Sequence, residues 1–140
     1  MENLLSANYS TGSDVDIVIS PFDGISYGIA AALEGAGYKA GEKWPLITGQ
    51  DAELMAAKNI ISGRQTQTIF KDTRVLADKC VTMVQAVLEG AEPEINDTTT
   101  YNNNVLVVPS YLCEPQSVDK DNVVTALVDS GYYTQAELDG

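Results

Sequence analysis

The residues best suited to holding a small ligand stand just after three short apolar runs. Ser20-Pro21-Phe22-Asp23-Gly24 follows Val15-Asp16-Ile17-Val18-Ile19. Gly49-Gln50-Asp51 follows Trp44-Pro45-Leu46-Ile47-Thr48, and Lys71-Asp72 follows Thr66-Gln67-Thr68-Ile69-Phe70. The collection is one aromatic (Phe22), three carboxylates (Asp23, Asp51, Asp72), one amide (Gln50) and one ammonium (Lys71). A carboxylate accepts hydrogen bonds from two neighbouring hydroxyls, and an ammonium donates to hydroxyl or ring oxygens. Such charge-assisted bonds are roughly twice as strong as neutral ones. An aromatic face covers the C–H patch of a pyranose ring, so the set suits a sugar. A structural reading competes at each position. Asp is a preferred helix N-cap, and all three aspartates stand just before a helix. Lys71 could equally be a surface lysine and Phe22 a core residue.

The elements that would bring these residues together can be read from periodicity. The run 15–19 is a buried-strand pattern. A helix follows over 25–36, with Ile29, Ala32, Leu33 and Ala36 on one face and Gly37 as its stop. The run 44–48 reads as a second strand, followed by a helix over 52–62 closed by Gly63. The run 66–70 alternates like a third strand. A longer helix spans about 73–89, with Leu76, Cys80, Met83, Val84 and Val87 on one face and Gly90 after it. Three consecutive β-α units imply parallel strands joined by crossover helices. In such a sheet, ligands sit outside the carboxyl ends of the strands, which is where Phe22, Asp51 and Lys71 fall. Residues 2–9 read as the end of a further helix, so the chain is expected to have begun earlier. Beyond Gly90, residues 92–104 are polar with turn character. Val105-Leu106-Val107-Val108-Pro109 reads as another strand. A last helix fits 120–128, capped by Asp119 and ended by Gly131.

Bulk properties narrow the classes. The 140 residues can bury one core, and 44% hydrophobic with 20% charged residues describes a globular chain. The net charge of −12, with eight scattered basic residues, argues against a nucleic-acid partner. No apolar run is long enough for a membrane helix, and Met1 to Leu5 is not an export signal. Cys80 and Cys113 lack metal spacing. Cys80 is expected to be a buried, inert thiol. The chain has no His, no nucleophile elbow, no phosphate loop and no dinucleotide-type glycine turn. It is therefore expected not to be an enzyme, and no cofactor or metal is expected. Trp44 starts its strand at the end away from the candidate site and is expected to pack.

Gly49-Gln50-Asp51-Ala52-Glu53, the run Ile60-Ile61-Ser62-Gly63-Arg64-Gln65-Thr66-Gln67-Thr68-Ile69-Phe70-Lys71, and Val107-Val108-Pro109-Ser110-Tyr111-Leu112 resemble the C-terminal half of type I periplasmic sugar-binding proteins. So does the ending Asp129-Ser130-Gly131-Tyr132-Tyr133. The closest likeness is to xylose and multiple-sugar (glucose/galactose/arabinose) binders that serve ABC transporters and chemoreceptors. The resemblance implies an α/β fold: a parallel-sheet, Rossmann-like lobe of the periplasmic-binding-protein-like I fold, here incomplete. It implies a partial sugar-binding lobe over 1–104 and the last hinge crossing with the C-terminal helix over 105–140. It makes Asp51 a sugar ligand and Lys71 the contact that xylose binders place there. Phe22 occupies a position where the family often carries a sugar-binding Asn, which points to a stacking or wall role. Asp23 joins the ligand-binding set beside it, with capping as its main role.

The implied partners are a monosaccharide (xylose, glucose, galactose or arabinose) and, for the full-length protein, the membrane permease of an ABC transporter. The full-length protein would be periplasmic or a membrane-anchored extracellular lipoprotein, with its export signal outside this chain. The isolated fragment is expected to bind sugar weakly or not at all, and its exposed sheet edge invites self-association. The competing reading is the effector-binding domain of a LacI-type transcriptional regulator, which resembles the same fold.

Overall fold

A computed structural model of the chain describes residues 1–9 and 14–140. They form two compact units. The first comprises Met1–Phe70 and Gln116–Gly140, the second Lys71–Pro115. The boundary expected at 104/105 does not coincide with either junction, because residues 116–119 return to pair with the end of the first β-α series.

In the first unit, α1 (Glu2–Asn8) precedes β1 (Ile17–Val18), α2 (Asp23–Gly35), β2 (Leu46–Ile47), α3 (Leu54–Ile61) and β3 (Gln67–Phe70). The β-α alternation is the expected one, with shorter strands. β1 and β2 pair in parallel, Ile17 opposite Leu46 and Val18 opposite Ile47. The Thr66 N–H donates to the Ile47 carbonyl (2.9 Å), which ties the entry of β3 to β2. The ladder of β3 lies with β4 (Gln116–Asp119) and is antiparallel, Gln67 opposite Asp119 and Phe70 opposite Gln116. β4 carries one buried side chain, Val118. One apolar residue in four leaves no period to detect, so long-range pairing with β3 makes this segment a strand.

Two apolar clusters support the unit. Leu5, Ile29, Ala32, Leu33 and Ile47 form one, with Val18, Tyr38 and Trp44 packed against it. Trp44 packs as expected, its indole N–H donating to the Arg64 carbonyl (3.0 Å). Ala52, Ala57, Ile60, Phe70, Val118, Val123, Ala126 and Leu127 form the other. Tyr132 stands edge-on to Phe70 at 4.7 Å and to Tyr133 at 5.0 Å. The helix expected over 120–128 starts later. Residues 120–122 turn, and Thr125–Asp129 is a π-helical turn. Asp119 accepts the Asp121 N–H there (2.9 Å). α5 (Gln135–Asp139) closes the chain with a capping box between Thr134 and Glu137.

The second unit is built on α4 (Thr73–Leu88). Its N-cap is Asp72, which accepts the Arg74 N–H at 2.9 Å. Lys79 pairs with Glu94 (2.7 Å) and sits 4.1 Å above the Tyr111 ring. No residue of α4 is buried. Cys80 is therefore corrected: it lies on the apolar stripe, as its spacing requires, but is exposed, because nothing in this unit covers the stripe. The strand expected over 105–109 is also absent. Asn102 bridges Val107 and Asp97 bridges Ser110, and Val105 is 85% exposed. Apolar content alone does not make a strand where no neighbouring edge offers a ladder.

Candidate functional site at the strand tips

The turns after β1 and β2 are joined by a dense set of hydrogen bonds. The Asp23 N–H donates to the Gln50 carbonyl (3.0 Å), and Gln50 Nε2 donates to the Pro21 carbonyl (2.9 Å). The Ser20 N–H donates to Thr48 Oγ1 (2.9 Å), and Ser26 Oγ donates to the Thr48 carbonyl (2.8 Å). These bonds fasten the two loops to each other.

Asp23 is the centre of that frame. It is fully buried. Gln65 Nε2 donates to its Oδ1 (2.8 Å), Thr68 Oγ1 lies 2.9 and 3.0 Å from its two oxygens, and the Glu53 N–H donates to Oδ2 (3.0 Å). Burial pushes its carboxyl above the usual carboxylate range, opposed by the hydrogen bonds from Gln65, Glu53 and Thr68. Asp23, expected as a ligand contact, lies sealed inside this frame with both carboxylate oxygens engaged. Its expected capping role is corrected. Phe22 is the N-cap of α2, while Asp23 satisfies the amide of Glu53, the N-cap of α3. It caps the neighbouring helix instead of its own.

Asp51 is exposed and is not the cap of α3. Its backbone has φ 96°, and buried Ala52 follows at φ 50°. Asp tolerates the left-handed region better than most residues, whereas Ala lacks that excuse. Consecutive outliers of this kind cost of order 1–3 kcal/mol each and persist only where the surroundings impose them. Here the surroundings are explicit. The Asp51 N–H donates to the Ile69 carbonyl (2.9 Å), the Ala52 N–H to Thr68 Oγ1 (3.1 Å), and Tyr133 Oη donates to the Ala52 carbonyl (3.1 Å).

Phe22 is 42% exposed, and its ring lies back over Gly24, where a Cβ would come within 2.8 Å of Cε2. Tyr27 Oη donates to Glu53 Oε2 (2.8 Å). Phe22, Asp23 and Asp51 share the first unit. Lys71, next along the chain from Phe70, is exposed and opens the second. Asp72 serves α4 as its cap, and Arg74 beside it holds its carboxyl below the usual range. Gly49, Gln65 and Thr68 escaped the sequence reading, since nothing local distinguishes them from ordinary turn and strand residues. Among the described residues, no group of His, Cys, Asp and Glu could hold a metal ion.

Comparison with known proteins agrees with this architecture. Residues 1–92 match the model of a periplasmic binding protein domain. A multiple sugar-binding periplasmic receptor of Rhizobium radiobacter is 54% identical over 99% of this chain and 39% of its own length. A D-xylose-binding periplasmic protein of Haemophilus influenzae is 36% identical, with the same two coverages. An ABC transporter solute-binding protein from Clostridium phytofermentans, solved with bound β-D-glucose, superposes with a TM-score of 0.90 at 42% identity. That match covers 98% of this chain and 41% of the other. The chain thus spans about two-fifths of the length of these relatives.

Proposed function

The chain belongs to the periplasmic binding protein domain family, and from that premise we propose that it forms part of a monosaccharide-binding lobe in the solute-binding component of a sugar ABC transporter. The observation that carries this reading is the Asp51 turn. An exposed carboxylate is presented on backbone that only a dedicated frame sustains, at the carboxyl end of a parallel strand, where open α/β sheets bind ligands. Glucose and xylose are the favoured sugars, because relatives of this chain are named for D-xylose or for multiple sugars, or are solved with β-D-glucose. Asp51 accepts from vicinal hydroxyls, and Phe22 walls the apolar side of the ring.

The role is binding and delivery, with the sugar leaving unchanged. A membrane permease receives it, and the protein acts outside the cytoplasmic membrane, free in the periplasm or held by a lipid anchor. Calorimetric titration tests the proposal. The longer protein that carries this chain should bind D-glucose or D-xylose saturably. Asp51→Ala should remove at least tenfold of that affinity, the scale of deleting one charge-assisted hydrogen bond in a desolvated site. No saturable binding of glucose, xylose, galactose or arabinose would end the proposal. This chain alone should bind weakly or not at all, and micromolar affinity for it would contradict the expectation that a second lobe supplies half the contacts.

A further inference from the structure

Between the buried Asp23 carboxylate and the strained Asp51–Ala52 backbone stands one side chain. Thr68 lies in β3, and its side chain is sealed from solvent. Its hydroxyl proton goes to Asp23, 2.9 Å from Oδ1 and 3.0 Å from Oδ2. The same oxygen accepts the Ala52 N–H at 3.1 Å. Thr68 also pairs with Val118 in the β3–β4 ladder, so its backbone is fixed independently of the turn. A hydroxyl donates once and accepts at its lone pairs, and here both capacities are used in one direction. A carboxylate is a strong acceptor, and polarising the hydroxyl towards it makes the oxygen a better acceptor for the Ala52 amide.

We propose that Thr68 is the positioning residue of the sugar site: by relaying the Asp23 carboxylate to the Ala52 amide, its hydroxyl holds Asp51 and Ala52 in the left-handed backbone that presents the Asp51 side chain. The geometry leaves little else for this task at the nitrogen of Ala52. Tyr133 restrains only the carbonyl of that residue, and the Ile69 carbonyl restrains the amide of Asp51. Without the Thr68 oxygen, the Ala52 N–H would be buried without a partner. The turn would then gain by relaxing to negative φ and turning the amide towards solvent. The assignment of Asp51 to sugar rests on the proposed function. The relay itself does not, so the two can fail separately.

The experiment is NMR on this chain, comparing the parent with Thr68→Val and Thr68→Ser. Three-bond HN–Hα couplings and carbon shifts report φ at Asp51 and Ala52. The parent and Thr68→Ser should both show the left-handed signature at the two residues. Thr68→Val, near in shape and without the hydroxyl, should lose it while the β3–β4 amides keep their shifts. Hydrogen exchange in the parent is the second measurement, and it stands even if the Val variant does not fold. The Ala52 amide should be protected, and Thr68→Ser should exchange within roughly tenfold of it, since both retain the bond. A folded Thr68→Val with unchanged φ signature, or an unprotected Ala52 amide in the parent, overturns the relay. Glucose titration of the longer protein carrying Thr68→Val reads the consequence for binding. An altered turn with intact affinity overturns Thr68 as a positioning residue for sugar, whereas an altered turn with weakened affinity supports it.

Discussion

Gly49 lies against Asp23 so closely that a Cβ on the glycine would fall inside contact distance of Asp23 Oδ1 and Gln65 Nε2, with Ser26 Oγ at 3.2 Å. The glycine is required for space. The buried carboxylate and its amide partner occupy the volume where any other side chain would begin. Gly49→Ala must push apart a satisfied buried polar cluster, combining overpacking with broken hydrogen bonds. We expect a loss of about 3 kcal/mol or more, measured as a shift in urea midpoint. A variant within about 0.5 kcal/mol of the parent would show that the frame is looser than its geometry.

The same carboxylate gives a pH signature. The folded-state pKa of Asp23 is raised above the ordinary aspartate value, first by burial. Its contribution to stability is therefore fully present below the unfolded value and is lost as pH rises through the folded one. Asp72, Asp97 and Glu137 are lowered and run the other way, losing their contributions as pH falls. Asp23→Asn isolates the Asp23 contribution. An Asn there turns an N–H₂ towards a donor, and Gln65, whose Oε1 is buried without a partner, can flip to meet it only by giving up its bond to the Gln67 carbonyl. The variant should be less stable by about 1–3 kcal/mol. The gap between parent and variant should widen as pH falls from about 7 towards about 4. A constant gap across paired urea titrations would contradict the raised pKa.

Asp51 offers a test of strain against function. At φ 96° glycine is at ease and alanine is not. Asp51→Gly should therefore be more stable than Asp51→Ala by about 1 kcal/mol. Both should lose sugar affinity in the longer protein, because both lack the carboxylate. Equal stability of the two variants would mean that the turn relaxes once the side chain is gone.

Cys80 and Cys113 are both free thiols, the first exposed and the second half-buried. In the native chain Cys80 should react with a thiol reagent at a rate near that of an unfolded peptide, and Cys113 more slowly. Protection of Cys80 would show that its apolar stripe on α4 finds a cover in solution, with sedimentation velocity revealing a second copy of the chain as that cover.

Local pattern accounts for the alternation of strands and helices, for the glycines that end them, and for the placing of Phe22, Asp51 and Lys71 just beyond strand tips. These follow from periodicity and short-range sterics, which act within a few residues. The role of Asp23 could not be read this way. As a residue before a helix it looked like a cap for that helix. Its partners Glu53, Gln65 and Thr68 lie 30, 42 and 45 positions away, and only folding decides that it caps α3 and supports the Asp51 turn. β4 was hidden for a similar reason, since Gln-Ser-Val-Asp becomes a strand because β3 offers it an unpaired edge. Cys80 shows the converse. Its spacing correctly put it on an apolar stripe, but burial depends on what lies opposite, and the helix period carries no information about that.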